Sequence, residues 1–323
     1  MKQILFSLLL LAVQTSAADE INQTQLLSAE QQANKLSYNL LIKDIEALKK
    51  QLKDFVYPQE KIIVKSRVLT LLSLRQPSDE QKAWVVTQVN SSESLKLLNS
   101  DHPKHVIEVV NIARQAKNTL LQWQINKKQD NYYQQWLNQN WHWELFISSA
   151  TELEYKAFSQ AIVTTDELTI DWLQQQLIGE GLTQANNRLL ALLISRKSNL
   201  ILLNQLWKNP SDQYSYQALQ QIKEVLSTEQ AIEQLVLASE NDKLISQSLF
   251  LLAKNFQDDE QAQKFLLTKL QQPPSAWYAA AALSQTTNAA LQQALKLLSS
   301  QSNKAAIKFA AKHLTSKLPA EEQ

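Results

Sequence analysis

The chain of 323 residues contains no cysteine. This absence excludes disulfide bonds, thiolate metal sites, a cysteine nucleophile and a lipid attached to an amino-terminal cysteine. The stability of the fold must therefore come from packing alone.

Glycine and proline are also scarce, with two glycines and seven prolines. Sheets joined by tight hairpins consume glycine because the favoured turns need positive φ, whereas helices joined by short polar loops do not. The 44% of hydrophobic residues can bury a large core, as one elongated array or two compact units. We therefore predict an all-α protein, with an irregular helical amino-terminal half followed by stacked antiparallel helix pairs.

A long hydrophobic run occurs only at the start of the chain. Lys2 precedes an apolar run from Ile4 to Val13, and small residues follow up to Ala18, which is the three-part pattern of a cleavable export signal. The run has about ten residues, whereas a membrane-spanning helix needs roughly twenty. We predict a signal peptide at 1–18, cleaved near Ala17 or Ala18, a periplasmic or secreted protein, and no membrane span in the mature chain.

Neither sign of charge is in clear excess. The formal net charge is +1, and cleavage of the signal removes Lys2 and no acid, so the mature chain is close to neutral. Nucleic acids and anionic lipids attract clustered lysines and arginines. We therefore expect no nucleic-acid partner.

Residues that start helices stand at several positions. The capping-box spacing occurs at Ser78, Thr164 and Ser227, and Asp101 with Pro103 gives a cap followed by an early helix proline. These caps and the apolar spacing predict amino-terminal helices over 24–55, 60–74, 79–98, 103–126, 131–138, 151–163 and 166–178.

Two of these helices have an alternative. The β-branched residues between Val106 and Val110 are also typical of a strand, paired with the segment from Leu120 to Ile125. The long glutamine-rich helix at 24–55 either lies along the body of the protein or pairs with a partner helix.

Both glycines lie close together, at Gly179 and Gly181. Gly179 suits the left-handed residue that ends a helix. A Gly-x-Gly pair cradles phosphate only after a strand and with further glycines, which are missing here. We place the domain boundary at this point, with an irregular helical region at 19–178 and helical repeats at 182–318.

The sequence after Gly181 repeats itself. The tripeptide Glu-Gln-Ala that starts at Glu229 reappears at Glu260, about 31 residues later. Each unit is a leucine-rich helix, a short polar break and an alanine-rich helix, with breaks at 239–242, 271–275 and 299–303. The segments 200–207 and 216–226 form a degenerate fourth copy, and small residues such as Ala279 let neighbouring helices approach closely.

Residues 198–314 resemble HEAT-type α-solenoid repeats, in which two antiparallel helices make each unit. The resemblance rests on the period and on the apolar spacing, for example Leu266, Leu267 and Leu270 followed by Trp277 and Ala279. It implies a protein that binds protein or peptide along one face of the array.

Aromatic residues are concentrated between Trp123 and Trp143, interleaved with glutamine and asparagine. Flat rings beside amide side chains suit sugar rings, because the ring face stacks and the amides meet hydroxyl groups. The other interpretation is that the rings fill a seam in the core. The candidate ligand-binding residues are Tyr132, Tyr133, Trp136, Trp141 and Trp143, and the alternation from Trp141 to Leu145 also fits a short strand.

Histidine is rare, with four residues. His102, His105 and Glu108 come closest to a metal-ligand cluster, yet surface histidine at a helix start is the commoner arrangement. The serines lack a Gly-x-Ser-x-Gly turn, and acids such as Asp258 and Asp259 stand at a helix start, where they complement the dipole. We expect no catalytic residues, no metal and no cofactor.

The export signal and the stacked helix pairs together predict a non-enzymatic exported protein that binds protein or peptide partners as a scaffold or adaptor. The alternative is a glycan-recognition or glycan-processing protein of the cell envelope, which uses the aromatic residues between Trp123 and Trp143.

Overall fold

The computed structural model describes residues 19–21, 23–34, 36, 42–98, 106–181 and 186–315. The predicted signal peptide at 1–18, the predicted cap at Asp101 and the candidate metal ligands His102 and His105 lie outside these residues. The chain divides into two compact units between Asn131 and Tyr132. The boundary at 178–182 is a different division, between irregular and regular helices, and stays a prediction.

The amino-terminal unit combines helices with a small sheet. Its described elements are β1 Asp19–Ile21, α1 Gln23–Asn34, α2 Ile45–Asp54, α3 Pro58–Ser73, α4 Asp79–Gln88, β2 Ser94–Leu98, β3 Val106–Asn111 and the first part of α5 Ile112–Leu137.

The sheet has the strand order β1-β2-β3. β1 is parallel to β2, with Asp19 opposite Leu95, and β2 is antiparallel to β3, with an irregularity between Leu95 and Lys96. Helix α3 packs against β2 and β3, and Leu95 is fully buried. The indole N–H of Trp123 in α5 donates to the carbonyl of Leu72 in α3 at 2.7 Å, which fixes α5 on the same core.

Two predicted helices of this unit are wrong because strands replace part of them. The helix predicted at 79–98 ends at Gln88, and the helix predicted at 103–126 begins only at Ile112. The alternative strand does form at Val106–Asn111, but its partner is Ser94–Leu98 and not the segment from Leu120. β2 contains no β-branched residue, so only its pairing across the sheet identifies it as a strand.

The helix predicted at 24–55 is two helices. α1 ends at Asn34, and α2 begins after Asp44, whose extended backbone and side chain, accepting from the N–H of Ala47 at 2.8 Å, cap the second helix. The separate helix predicted at 131–138 is instead the end of the continuous helix α5.

The predicted caps at Ser78 and Ser227 are confirmed, since each serine accepts from a backbone N–H three residues later. The cap predicted at Thr164 is wrong. Asp166 caps the helix instead, and its hydrogen bonds from the backbone and side chain of Thr169 hold the pKa of its carboxyl below its usual value.

The carboxy-terminal unit begins within α5 and is built of helices throughout its described residues. These helices are α6 Trp143–Ser149, α7 Glu152–Thr164, α8 Glu167–Gly179, α9 Asn187–Arg196, α10 Leu200–Lys208, α11 Gln213–Val225, α12 Thr228–Ala238, α13 Ile245–Asn255, α14 Glu260–Leu270, α15 Ala276–Leu283, α16 Ala289–Gln301 and α17 Ala305–Thr315. The short strand considered near Trp141 is therefore wrong, because α6 begins at Trp143.

The helices of this unit alternate between two rows. In the odd row, α7, α9, α11, α13, α15 and α17 each pack on the next. The even row consists of α8, α10, α12, α14 and α16, and each of these helices packs against an odd-row neighbour. The predicted all-α fold with stacked antiparallel helix pairs is confirmed, and the stacking reaches back to α7, before the predicted repeats begin.

The alanines of the predicted repeats have the expected role. The break predicted at 271–275 separates α14 from α15, and the break predicted at 239–242 separates α12 from α13. The break predicted at 299–303 begins too early, because α16 continues to Gln301. Ala279, Ala280 and Ala310 are fully buried, so α13, α15 and α17 can approach one another closely. Gly181, and not Gly179 as predicted, takes the left-handed backbone conformation after α8, with φ of 68°.

Side-chain amides join successive turns along one edge of the rows. Asn209, after α10, donates to the side-chain oxygen of Asn187 at 2.8 Å, and Asn187 donates to the carbonyl of Pro210 at 2.8 Å. Asn241, after α12, donates to the carbonyl of Trp207 at 2.8 Å. Because Asn187 and Asn209 are buried, these bonds fix how each helix pair is stacked on the previous one.

Candidate functional site

Four of the five candidate ligand-binding residues lie in the interior of the carboxy-terminal unit. Tyr132, Trp136, Trp141 and Trp143 are between 0% and 8% exposed. The ring of Phe158 lies 5.6 Å from each of the three tryptophan rings, measured between centroids. We call Tyr132, Trp136, Trp141, Trp143, Phe146 and Phe158 the aromatic cluster.

Tyr133 lies at the edge of this cluster and is partly exposed. Its hydroxyl hydrogen bonds with the carbonyl of Ala161 at 3.1 Å and with Thr164. All five candidates therefore take part in packing between α5, α6 and α7, and their ligand-binding role stays a prediction.

The interleaved amides have a simple explanation in the structure. Tyr132 and Trp136 are one turn apart on the buried face of α5, whereas Gln134, Gln135 and Asn138 are exposed. Rings and amides thus occupy opposite faces of the chain here, as in any amphipathic helix. A sugar needs both groups on one accessible face.

Burial also changes the chemistry of the cluster. It raises the pKa of Tyr132 to about 12, and the carboxylate of Glu154 adds to this shift. The indole N–H of Trp143 donates to the carbonyl of Leu173 at 3.1 Å. The indole nitrogens of Trp136 and Trp141 have no hydrogen-bond partner among the described residues, and these two rings meet edge to face at 5.9 Å. The positive edge of one ring then lies against the negative face of the other.

A second group of aromatic residues lies on the surface of three neighbouring odd-row helices. We call this group the aromatic row: Phe250 of α13, Trp277 and Tyr278 of α15, and Phe309 of α17, which are 37%, 55%, 43% and 37% exposed. Trp277 and Phe309 meet edge to face at 5.8 Å. Exposed rings in contact, such as this pair, are typical of interaction surfaces.

The odd row is also basic. From α9 to α17 its helices carry six Lys and Arg residues against one acid: Arg188, Arg196, Lys223, Lys254, Lys308 and Lys312 against Glu224. From α8 to α16 the even row carries four basic residues against five acids: Lys208, Lys264, Lys269 and Lys296 against Glu167, Asp171, Glu229, Glu233 and Glu260. The near-neutral composition of the chain thus conceals two rows of different charge.

A groove and a cleft adjoin the exposed face of the odd row. The groove has a volume of about 300 Å³ and runs over α7, α9 and α11, where its lining includes Ser159, Tyr214 and Gln217. Arg188 also lines it, and is held by two hydrogen bonds to Glu152 of 2.8 and 3.0 Å.

The cleft lies between α16 and α17 and has a volume of about 360 Å³. Its lining consists of Lys296, Ser299, Lys308, Ala311 and Lys312, so it includes three basic side chains and no carboxylate. This lining favours negatively charged groups.

A third cavity, of about 390 Å³, is different in kind. It lies between α10 and α12 of the even row, and its lining includes Trp207 and Asn241. The amide of Asn241 is hydrogen bonded to the carbonyl of Trp207, so this cavity is part of the joint between helix pairs.

Other classes of site find less support in the described residues. No three His, Asp or Glu side chains there lie close enough together to hold a metal ion. Glu108, the described member of the candidate metal cluster, forms an ion pair with Arg114 at 3.0 Å. None of the helices in the described ranges is long and apolar enough to cross a bilayer.

The aromatic row could not be recognised from a local concentration of rings in the sequence. The rings of the row are spread from Phe250 to Phe309, with one or two on each of α13, α15 and α17. The signal that does exist is a large ring in an otherwise small, alanine-rich helix, as at Trp277 and Phe309. Alanine packs on the core side of such a helix, so a ring elsewhere on it faces outwards.

The comparisons with known proteins give no family or relative to which this surface can be assigned. Neither a protein-family model, nor a curated protein, nor a solved structure matches the chain.

Proposed function

We propose that this protein is an exported, non-enzymatic helical repeat protein of the HEAT-like type, which binds a protein or peptide partner as a scaffold or adaptor. The observation that carries the proposal is the aromatic row, four exposed rings on three adjacent helices of the basic odd row. Export to the periplasm or the medium is inferred from the signal sequence at 1–18.

The chemistry of the aromatic row supports binding to another polypeptide. Exposed Trp, Tyr and Phe rings bury a large apolar area on association and lose little conformational freedom, because they have only two side-chain torsions. Trp and Tyr are among the residues that contribute most to the energy of protein interfaces. In the free chain this apolar area is not buried, since about half of the surface of Trp277 is exposed to water.

The stacking of the helices supports the same proposal. Each helix pair packs on the next one along the chain, and the turns are joined by buried amides such as Asn187 and Asn209. Repeats stacked in this way present an extended and rigid surface. A partner that binds across several odd-row helices therefore finds its contacts already in place.

Site-specific photocrosslinking in cells tests the proposal. A photoreactive phenylalanine replaces Phe309 in the odd row or, as the control, the exposed Gln261 in the even row. We expect the exported chain to crosslink to a discrete partner from position 309 and not from position 261, and Trp277→Ala to abolish the product. Equal products from both positions, no product from either, or retention of the full chain in the cytosol would contradict the proposal.

A further inference from the structure

We infer that the exposed surface of α13, α15 and α17 binds an extended, acidic segment of a partner protein. The rings of the aromatic row bind apolar side chains of this segment, and Lys254, Lys308 and Lys312 bind its carboxylates. This inference rests on the proposed function and names the chemistry of the partner.

The charge of these three helices is complementary to that of an acidic segment. On α13, α15 and α17 every Lys, Arg, Asp or Glu residue is a lysine, and Lys254, Lys308 and Lys312 are all exposed. The ammonium group of Lys254 lies 5.9 Å from the ring centroid of Phe250, so cation and ring form one combined contact. The lysine-lined cleft between α16 and α17 adds the basic side chain of Lys296 to Lys308 and Lys312.

The spacing of the helices matches the spacing of side chains along an extended segment. Packed helices lie about 8–10 Å apart, and an extended chain in the polyproline II conformation has three residues per turn and advances about 3.1 Å per residue. A segment in this conformation that crosses the odd row therefore directs about every third side chain towards the helices, at a spacing that matches the distance from one helix to the next. Phe250, Trp277 and Phe309 lie on consecutive odd-row helices, so a segment of roughly seven residues is long enough to reach all three rings.

The polar residues of the odd row favour a polypeptide over other polyanions. Gln247 on α13 is partly exposed, and Gln217 and Gln221 are exposed on α11, the odd-row helix that precedes this surface. A side-chain amide has both a donor and an acceptor, which match the N–H and C=O groups of an extended backbone. Phosphate-rich partners are instead held mainly by dense clusters of Lys and Arg. Lysines cluster at the cleft between α16 and α17, whereas α13 contributes one lysine and α15 none, so most of the row has too few cations for such a partner.

A set of synthetic peptides provides the test. Three peptides of about twelve residues, long enough to cross three helices, carry leucine at every third position, which lies on one side of a polyproline II chain. The other positions are mainly glutamate in the first peptide, glutamine in the second and lysine in the third. Each is titrated into the mature chain, with the accessibility of Trp277 to a neutral fluorescence quencher as one readout and calorimetry as the other. Vesicles of phosphatidylglycerol and single-stranded DNA serve as competing polyanions.

We expect the glutamate peptide to bind at least about tenfold more tightly than the glutamine peptide, because several exposed charge pairs of modest strength act together. This preference should fall as salt is added. The triple variant K254Q/K308Q/K312Q should lose the preference. The triple variant K208Q/K264Q/K269Q, with the same charge change on the even row, should keep it.

The outcomes separate this inference from the proposed function. If all three peptides bind equally, or if the lysine peptide binds best, the acidic partner is wrong while crosslinking from position 309 still supports a protein partner. If vesicles or DNA bind more tightly than the glutamate peptide and depend on the same three lysines, the surface serves those polyanions instead. If no peptide binds and no crosslink forms, both proposals fail.

Discussion

The carboxy-terminal unit contains two groups of aromatic residues with opposite environments. The aromatic cluster at α5, α6 and α7 has rings that contact one another, and the four of them singled out from the sequence are at most 8% exposed. The aromatic row on α13, α15 and α17 has rings that are 37% to 55% exposed. The cluster is dense in sequence and the row is sparse. Rings that are close together in the sequence therefore form a core here, and rings that are spread over several helices form a surface.

The reason for the difference lies in what occupies the buried face of each helix. In α5 the rings are themselves the buried face, with Tyr132 and Trp136 one turn apart. In α15 the buried face is already filled by Ala279, Ala280 and Leu283, so the rings of Trp277 and Tyr278 have no room there. Small residues on one side of a helix thus place large residues on the other.

The largest expected effect comes from removing a ring of the aromatic cluster. Trp143→Ala should lower the free energy of unfolding by about 3–5 kcal/mol, because a fully buried ring is replaced by a cavity and the hydrogen bond to Leu173 is lost. Denaturant unfolding followed by circular dichroism measures the change. Trp143→Phe, which keeps most of the ring volume, should cost clearly less. A loss below about 1 kcal/mol for Trp143→Ala would contradict a packed cluster.

The second prediction concerns the alkaline stability of the cluster. The pKa of Tyr132 is raised to about 12 in the folded chain, against about 10 when unfolded. The stability from the neutral phenol is therefore fully present below about pH 10 and is lost as the pH rises towards 12. A shift of this size corresponds to at most about 2–3 kcal/mol.

The ultraviolet absorbance of tyrosinate and unfolding curves taken between about pH 9 and 12 check this prediction. Tyr132→Phe removes the titrating group, so its stability should fall less steeply over this interval than that of the native chain. Parallel curves for the two proteins would show that Tyr132 is not buried as the cluster requires.

The helical repeats could be predicted from the sequence because their determinants are local. The break before Ala276 and the cap at Ser227 follow from residues adjacent in the chain. The pairing of β2 with β3 could not be predicted, since Ser94–Leu98 has no β-branched residue and becomes a strand only because β1 and β3 lie on either side of it. Strand pairing is a contact between distant segments, and propensity alone does not encode it.

The candidate site could also be predicted only in part. The sequence located the rings from Tyr132 to Trp143 but not which side of each helix faces the core. The aromatic row and the basic odd row become visible only when α13, α15 and α17 are placed side by side. Their charges are averaged out along the chain, because acidic even-row residues such as Glu260 alternate with lysines such as Lys254 and Lys308.

The third prediction concerns the joint that holds the rows in place. Asn209→Ala should lower the free energy of unfolding by about 1–3 kcal/mol, because the side-chain oxygen of Asn187 then loses a buried donor. Gln221→Ala, an exposed change on the adjacent helix α11, should alter it by less than about 0.5 kcal/mol. Thermal and denaturant unfolding of the two variants compare these values, and equal effects would contradict the role of the amides as joints.

Removing a ring of the aromatic row should have the smallest effect on stability, although it should abolish binding of the partner. Trp277→Ala should change the free energy of unfolding by no more than about 1 kcal/mol, since the ring is half exposed and alanine is the better helix former. Ala279→Leu, on the buried face of the same helix, should cost about 1–3 kcal/mol through overpacking. Unfolding curves give the stabilities, and crosslinking from position 309 gives the binding.

The variants Trp277→Ala and Trp143→Ala together test the difference between the aromatic row and the aromatic cluster. If the row is a surface, Trp277→Ala abolishes the crosslink while the fold is unchanged, which is the reverse of what Trp143→Ala does to stability. If Trp277→Ala instead destabilises the chain as strongly as Trp143→Ala, the ring is buried in the folded protein. The row would then be a second aromatic core, and the basic face of the odd row would have to bind its partner through charge alone.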